Sequence, residues 1–202
     1  MQEQILILLV LVFSIIIHEL AHGYSAEFLG DATPRLQGRL TLNPIPHIDP
    51  IGSIFLPMML FFLHSPILFG WAKPIEYNPR NISPRKLGGM LVAFAGPLSN
   101  LVLVFACVSV LSFYPVLASH EIFSVILHAG IFINLILAIF NLIPIPPLDG
   151  HHILFGLLPD SLFGLKIFLR RYGFLILLVF IFFMWKNIIP FIEFIYTKLI
   201  TF

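Results

Sequence analysis

"IIIHELAH", residues 15–22, lies inside the longer run "LVLVFSIIIHELAHGYSAEFLG", residues 9–30. Everything before His18 in this run suits lipid. Two histidines and a glutamate within five residues do not. A charged residue at the centre of a membrane helix costs ~2.5–3.5 kcal/mol on insertion scales, and ionisable residues within spans are functional candidates for that reason. On a helix, residues four apart share a face, so His18 and His22 can offer imidazole nitrogens to one metal ion. Glu19, one position round, reaches a water beside the metal rather than the metal itself. This is the pattern of a zinc-dependent hydrolase, in which the metal acidifies water and the glutamate takes its proton. The plainer reading is a helix end emerging at the interface, with its histidines bonded to neighbours.

Composition decides between lipid and water as the solvent. The chain has 202 residues, 59% hydrophobic and only 10% charged, with a mean hydropathy of +1.01. Soluble domains carry roughly 25% charged residues, so an integral membrane protein is expected. A net charge of +1 gives no footprint for nucleic acid. The single cysteine, Cys107, lies in an apolar run and reads as a packing residue, which excludes a disulfide framework and a cysteine zinc site. Residues 5–17 resemble a signal-peptide core. The preceding Met1-Gln2-Glu3-Gln4 has no positive charge and no small-residue cleavage site follows, so a retained first helix is expected.

Four spans stand out, at about 4–24, 89–113, 121–143 and 172–190, each near the ~20 residues needed to cross a bilayer. A fifth apolar run, about 51–69, is interrupted by Pro57 and Pro66. Lysine and arginine follow the first span (Arg35, Arg39), precede the second (Lys73, Arg80, Arg85, Lys86) and precede the last (Lys166, Arg170, Arg171). These segments are expected on the cytoplasmic side. The first span then ends inside and the 89–113 span begins inside, so an even number of crossings separates them. Either 51–69 is re-entrant, or it crosses and "GWAKPIEYNP", residues 70–79, returns as extended chain. Ten extended residues reach ~33–36 Å. Non-helical backbone at that depth survives only inside protein or beside a water-filled cavity.

The same topology supplies a third metal ligand. The 121–143 span runs outside to inside, parallel to the first, and is followed by "NLIPIPPLDGHHIL", residues 141–154. Three prolines stiffen this turn and Gly150 allows a close approach after Asp149. Asp149 is therefore delivered to the leaflet that holds His18 and His22, 131 residues away in sequence. A turn carboxylate at the interface is the alternative. His151 and His152 are weaker rival ligands.

Taken together, these residues resemble the site-2 protease family of intramembrane zinc metalloproteases, in its compact bacterial and archaeal branch. "HELAH" is similar to that family's His-Glu-x-x-His helix, and "NLIPIPPLDG" to its second signature, whose aspartate is the third zinc ligand. "AFAGPLSN", residues 93–100, resembles its Gly-Pro-x-x-Asn element. "GRLTLNPIPHIDPIG", residues 38–52, and "GWAKPIEYNP" also look like that branch. The likeness covers roughly residues 10–160. It implies a zinc endopeptidase that cuts transmembrane helices, releasing membrane-tethered regulators or clearing signal-peptide remnants. The PDZ and CBS domains of some members do not fit in 202 residues, and the helix that often precedes the His-Glu-x-x-His helix is missing.

The expectation is an all-α polytopic bundle in one domain, residues 1–202, with a core at about 4–160 and an added C-terminal helix. A re-entrant or extended segment surrounds one buried Zn²⁺ held by His18, His22 and Asp149, with Glu19 as general base. Asn100 and Asn141 either bond an oxyanion or substrate backbone, or pack and cap helices. Gly96 and Pro97 suit close helix approach. Trp71, Lys73 and Pro74 lie on an edge to which an unwound substrate can add as a strand. Trp71 as an interfacial anchor is the alternative. His47 and Asp49 form an auxiliary metal site or brace a loop, while His64, His120 and His128 read as incidental. The partners are a transmembrane-helix substrate and the bilayer, at a cell membrane, with the site toward the cytoplasm. The rival readings are a metal transporter or channel, for which Glu19 has no catalytic purpose, and an inactive relative that only binds helices.

Overall fold

The structure is a computed structural model that describes residues 2–63 and 70–201. The readings of His64 as incidental and of Pro66 as an interruption of the 51–69 run fall outside the described residues. Helices dominate: α1 (Gln2–Phe28), α2 (Thr33–Leu36), α3 (Leu56–Phe62), α4 (Arg85–Phe113), α5 (Pro115–Ala118), α6 (Glu121–Asn141), α7 (Gly150–Leu157) and α8 (Phe163–Ile200). No strand forms among the described residues. Four helices are long and apolar enough to cross a membrane: Gln2–Phe28, Arg85–Phe113, Glu121–Asn141 and the Asp160–Met184 stretch. The chain is an all-α membrane protein.

Three helices carry the site. His22 pairs with Val92 and His18 with Asn100, so α1 and α4 run antiparallel. Ser14 bonds Asn134 of α6 while His18 bonds Asp149 just beyond α6, so α1 and α6 run parallel. The parallel arrangement expected from lysine and arginine placement is the one observed. Helix α8 returns antiparallel to α6, where Ile192 joins Ile131, Leu135 and Val104 in the largest apolar cluster. Cys107 packs at the edge of that cluster, as a packing residue should. Lys86 and Lys166 both donate to the Leu158 carbonyl, at 3.5 and 3.0 Å, which places the starts of α4 and α8 at one end.

The expected last span, 172–190, is too short. Helix α8 has 38 residues and so is ~57 Å long, well beyond the ~30 Å of a hydrocarbon core. Lys166, Arg170 and Arg171 before that span and Glu193 and Lys198 after it bound the apolar signal but not the helix, because hydrogen bonding does not depend on hydropathy.

Residues 36–63 and 70–82 form the two arms of a hairpin against α1. A six-residue π-helical turn, Pro50–Phe55, leads into the seven residues of α3. These are short of the ~20 residues a crossing helix needs. The chain comes back extended from residue 70. The Trp71 N–H donates to the Gly52 carbonyl (3.2 Å) and the Lys73 N–H to the His47 carbonyl (2.9 Å). The Ile75 N–H reaches Glu19 Oε2 at 2.8 Å. Alternate donors on one edge are the mark of extended chain. Buried Arg39 donates to the carbonyls of Pro46, Lys73 and Pro74. Each of these bonds satisfies a backbone group that lipid cannot.

Asp31, fully buried beyond the end of α1, closes the hairpin. It accepts from Thr33 Oγ1 (2.6 Å), the Asn78 N–H (2.6 Å) and Asn81 Nδ2 (2.8 Å). Burial works to raise its carboxyl, but the bonds from Thr33, Asn81 and Asn78 outweigh it and hold it below the ordinary 3.8. A carboxyl lowered by folding stabilises the fold above its unfolded pKa. That contribution is lost as pH falls through the folded value. Asp31→Asn is therefore expected to cost about 1–3 kcal/mol at pH 7. Thermal unfolding of the two proteins in detergent should show a gap that narrows below pH 4.

Candidate metal centre

The His-Glu-x-x-His turn sits about two-thirds of the way along α1, with its histidines facing α4 and its glutamate facing the extended segment. His18 and His22 are 6% and 8% exposed. His18 Nε2 lies 3.0 Å from Asp149 Oδ2, His22 Nε2 lies 3.2 Å from the same oxygen, and the two Nε2 atoms are 3.1 Å apart. Among the described residues these three form the one group of His, Cys, Asp or Glu able to hold a metal.

The outer face of each imidazole is already committed. His18 Nδ1 donates to Asn100 Oδ1 (2.6 Å) and His22 Nδ1 donates to the Val92 carbonyl (2.7 Å). Each neutral ring then turns a lone pair inward from Nε2. Two lone pairs and a carboxylate oxygen, all acceptors, face one another at about hydrogen-bond distance. They repel unless a cation lies between them. A tetrahedral zinc ion with ligands at ~2.0–2.1 Å would space its donors ~3.3 Å apart, close to the triangle observed. Two nitrogens and one oxygen, with a fourth position left over, is a donor set of the catalytic kind.

Local sequence explains the fit. Gly96 is the floor on which the rings rest: a Cβ there would lie 2.4 Å from His22 Nε2 and 2.6 Å from His18 Cε1. Gly96 thus serves the close approach expected of it. Pro97, next in α4, has no N–H for the Ala93 carbonyl and loosens that turn, one residue from the carbonyl that His22 uses. At Gly150 a Cβ would lie 2.3 Å from the Leu142 carbonyl. The Pro-rich turn folds that tightly, and Asp149 is brought back onto α1.

The remaining expectations divide. Glu19 stands apart from the triangle, its carboxylate on the Ile75 N–H. Asn100 is fully buried, with its oxygen on His18 and its Nδ2 on Asn134 Oδ1 at 2.7 Å. Both ends of the amide are engaged inside the protein, and the geometry makes it a support for His18 rather than an oxyanion donor. Asn141 Nδ2 bonds the Leu137 carbonyl one turn back (3.0 Å). On the extended segment, the Trp71 and Lys73 backbones are already paired on one edge, and Arg39 holds the carbonyls of Lys73 and Pro74. Strand addition is left the opposite edge, around Ala72. His47 and Asp49 brace their loop: His47 Nε2 bonds the Thr41 carbonyl, and Asp49 Oδ1 accepts from Ile51 and Gly52. His151 Nδ1 bonds the Leu148 carbonyl and its ring lies against His152, outside the triangle. His120 touches Phe123, and His128 bonds Tyr196 Oη. Sequence reasoning missed Arg39, Asp31 and Tyr77. The Tyr77 phenol is raised by burial and further by the Asp149 charge.

An apolar groove of about 410 Å³ runs beside the site. Leu8, Leu11, Val12, Ile15 and Ile16 of α1 form one wall, and Gly70, Trp71 and Ala72 are on the other. Glu19 lies one turn beyond Ile15 and Ile16 on the same face of α1.

Residues 115–185 match the model of Peptidase family M50. The chain is 39% identical over 184 residues to the "Putative zinc metalloprotease YwhC" of Bacillus subtilis, covering 86% of this chain and 78% of that protein. It is 30% identical over 138 residues to the "Putative zinc metalloprotease Rip2" of Mycolicibacterium smegmatis, and 33% over 144 residues to the protein of that name in Mycobacterium tuberculosis. It spans 51% of the length of each mycobacterial protein. No solved structure matches the chain.

Gly96→Val places a branched side chain where the imidazoles meet. It is expected to weaken divalent-cation binding at least tenfold (~1.4 kcal/mol or more) in a chelator competition on the purified protein. Unchanged affinity would mean that the cation sits elsewhere.

Proposed function

The chain belongs to peptidase family M50, and on that premise we propose that it is a zinc-dependent endopeptidase of the site-2 type, cutting membrane-spanning segments of other proteins. The observation that carries this reading is the triangle of acceptors formed by His18, His22 and Asp149, with Glu19 on the adjoining face of the same helix.

One zinc ion per chain would be held by His18 Nε2, His22 Nε2 and Asp149 Oδ2. Zinc bound there supplies Lewis-acid activation of a water and of the scissile carbonyl. Glu19 takes the proton of the attacking water as general base. Water adds to the carbonyl carbon, the C–N bond breaks, and Glu19 passes the proton to the departing amine. Asn100 and the Val92 carbonyl keep both imidazoles oriented throughout. Asn141, part-buried at the end of α6, is the amide left to contact the substrate backbone.

A helical substrate shields its peptide bonds, so cleavage requires it to unwind. The extended segment beside Glu19 supports this step: it already runs as extended chain at the depth of the site, and its Ala72 edge is available for pairing. The apolar groove against Trp71 is the route from lipid. Helices α1 and α6 end on the side where the arginines and lysines gather, which supports a multi-pass protein in a bacterial cell membrane with its site toward the cytoplasm. Substrates would be membrane-tethered regulators or signal-peptide remnants.

Glu19→Gln is the direct test. It is expected to lower peptide-bond cleavage by about 10²–10⁴-fold while zinc stays bound. Membrane proteomics of cells carrying wild type or variant would show segments trimmed within their spans only with wild type. Persistent cleavage by the variant would overturn the mechanism, and intact ion flux without proteolysis in wild type would favour a transporter.

A further inference from the structure

His18 ligates a metal only if its proton sits on Nδ1. That depends on Asn100 presenting its oxygen, not its nitrogen, to the ring. An asparagine amide is nearly symmetric in shape, so something else must choose its orientation. The choice is made on α6. Asn134, 2% exposed, donates both of its Nδ2 protons, one to the Gly130 carbonyl (2.8 Å) and one to Ser14 Oγ (2.9 Å). A backbone carbonyl can only accept. Asn134 Oδ1 is therefore forced toward Asn100 and accepts from its Nδ2 at 2.7 Å. Asn100 Oδ1 is in turn forced toward His18 Nδ1.

We propose that Asn134, fixed by the Gly130 carbonyl and Ser14, is a positioning residue that sets the His18 tautomer through Asn100. The direction of every bond in the chain is determined at the Gly130 carbonyl, on a helix that contributes no metal ligand from within its own length. Loss of the acceptor at Asn134 frees the Asn100 amide to rotate and present its N–H groups to His18. The imidazole proton then moves to Nε2, and the ring turns a hydrogen toward the metal position. Ser14 has the smaller part, because the Gly130 carbonyl alone still fixes the direction.

The inference rests on the zinc reading, and its test separates the two. Full-length protein is purified in detergent, stripped with chelator, and titrated with zinc alone against a competing chelator. Cobalt replaces zinc for a visible spectrum of the coordination sphere. Asn134→Leu is expected to lose about 10–100-fold in zinc affinity and to alter the cobalt spectrum. Asn134→Ala is expected to do the same if the leucine variant does not fold. Asn134→Asp, protonated in this apolar setting, can still accept from Asn100 and donate to the Gly130 carbonyl. It is expected to stay within about threefold of wild type, as is Ser14→Ala. Apo-protein unfolding is followed in parallel, because a purely structural role would lower stability without changing the spectrum. Wild-type affinity and spectrum in Asn134→Leu or Asn134→Ala, or equal losses in Asn134→Asp, would overturn the inference while leaving the metal site standing. A wild type that binds no zinc would remove the site and the inference together.

Discussion

Three acceptors held about 3 Å apart inside an apolar bundle repel one another, and the arrangement persists only with positive charge at its centre. Much of the fold serves to hold them there. Helices α1 and α6 run parallel so that the His-Glu-x-x-His turn and the Asp149 turn share one depth. Helix α4 runs against them and supplies the Val92 carbonyl, the Asn100 amide and the bare Gly96 surface under the rings. In lipid, the electrostatic penalty of leaving such a cluster uncompensated is high, and the same low dielectric strengthens the attraction for a cation.

A second constraint follows from placing non-helical chain beside those helices. Residues 70–78 carry backbone groups that lipid cannot satisfy. The protein answers with partners drawn from three places: the carbonyls of His47 and Gly52, the guanidinium of Arg39, and the carboxylates of Glu19 and Asp31. Glu19 thus has a structural contact in addition to its chemical assignment. A group resting on the Ile75 N–H is held near the extended segment beside which the proposed substrate would lie.

The sequence was most legible where chemistry is local. His18 and His22 are four residues apart, so their shared face follows from helix geometry. The basic residues at span ends place α1 and α6 parallel and so deliver Asp149 to the depth of His18 and His22. Legibility failed where an amide's orientation or a span's true length decides the matter. Asn100 reads as either an oxyanion donor or a packing amide until Asn134 is found on its other side, 34 residues away. Asn134 and Ser14 look like ordinary polar residues in apolar runs. Helix α8 runs past its hydropathy signal because charged residues near its end do not interrupt its hydrogen bonds. Arg39 and Asp31 read as loop charges, although both are buried and tie the hairpin to α1.

The proposed chemistry requires zinc held by two imidazoles and one carboxylate, with a position left for water. X-ray absorption at the zinc edge of the purified protein measures that directly. Four-coordinate zinc with two imidazole ligands at ~2.0–2.1 Å and the remainder oxygen is the result expected. A sulfur ligand, a single imidazole, or three or more imidazoles recruited from His151 and His152 would contradict it.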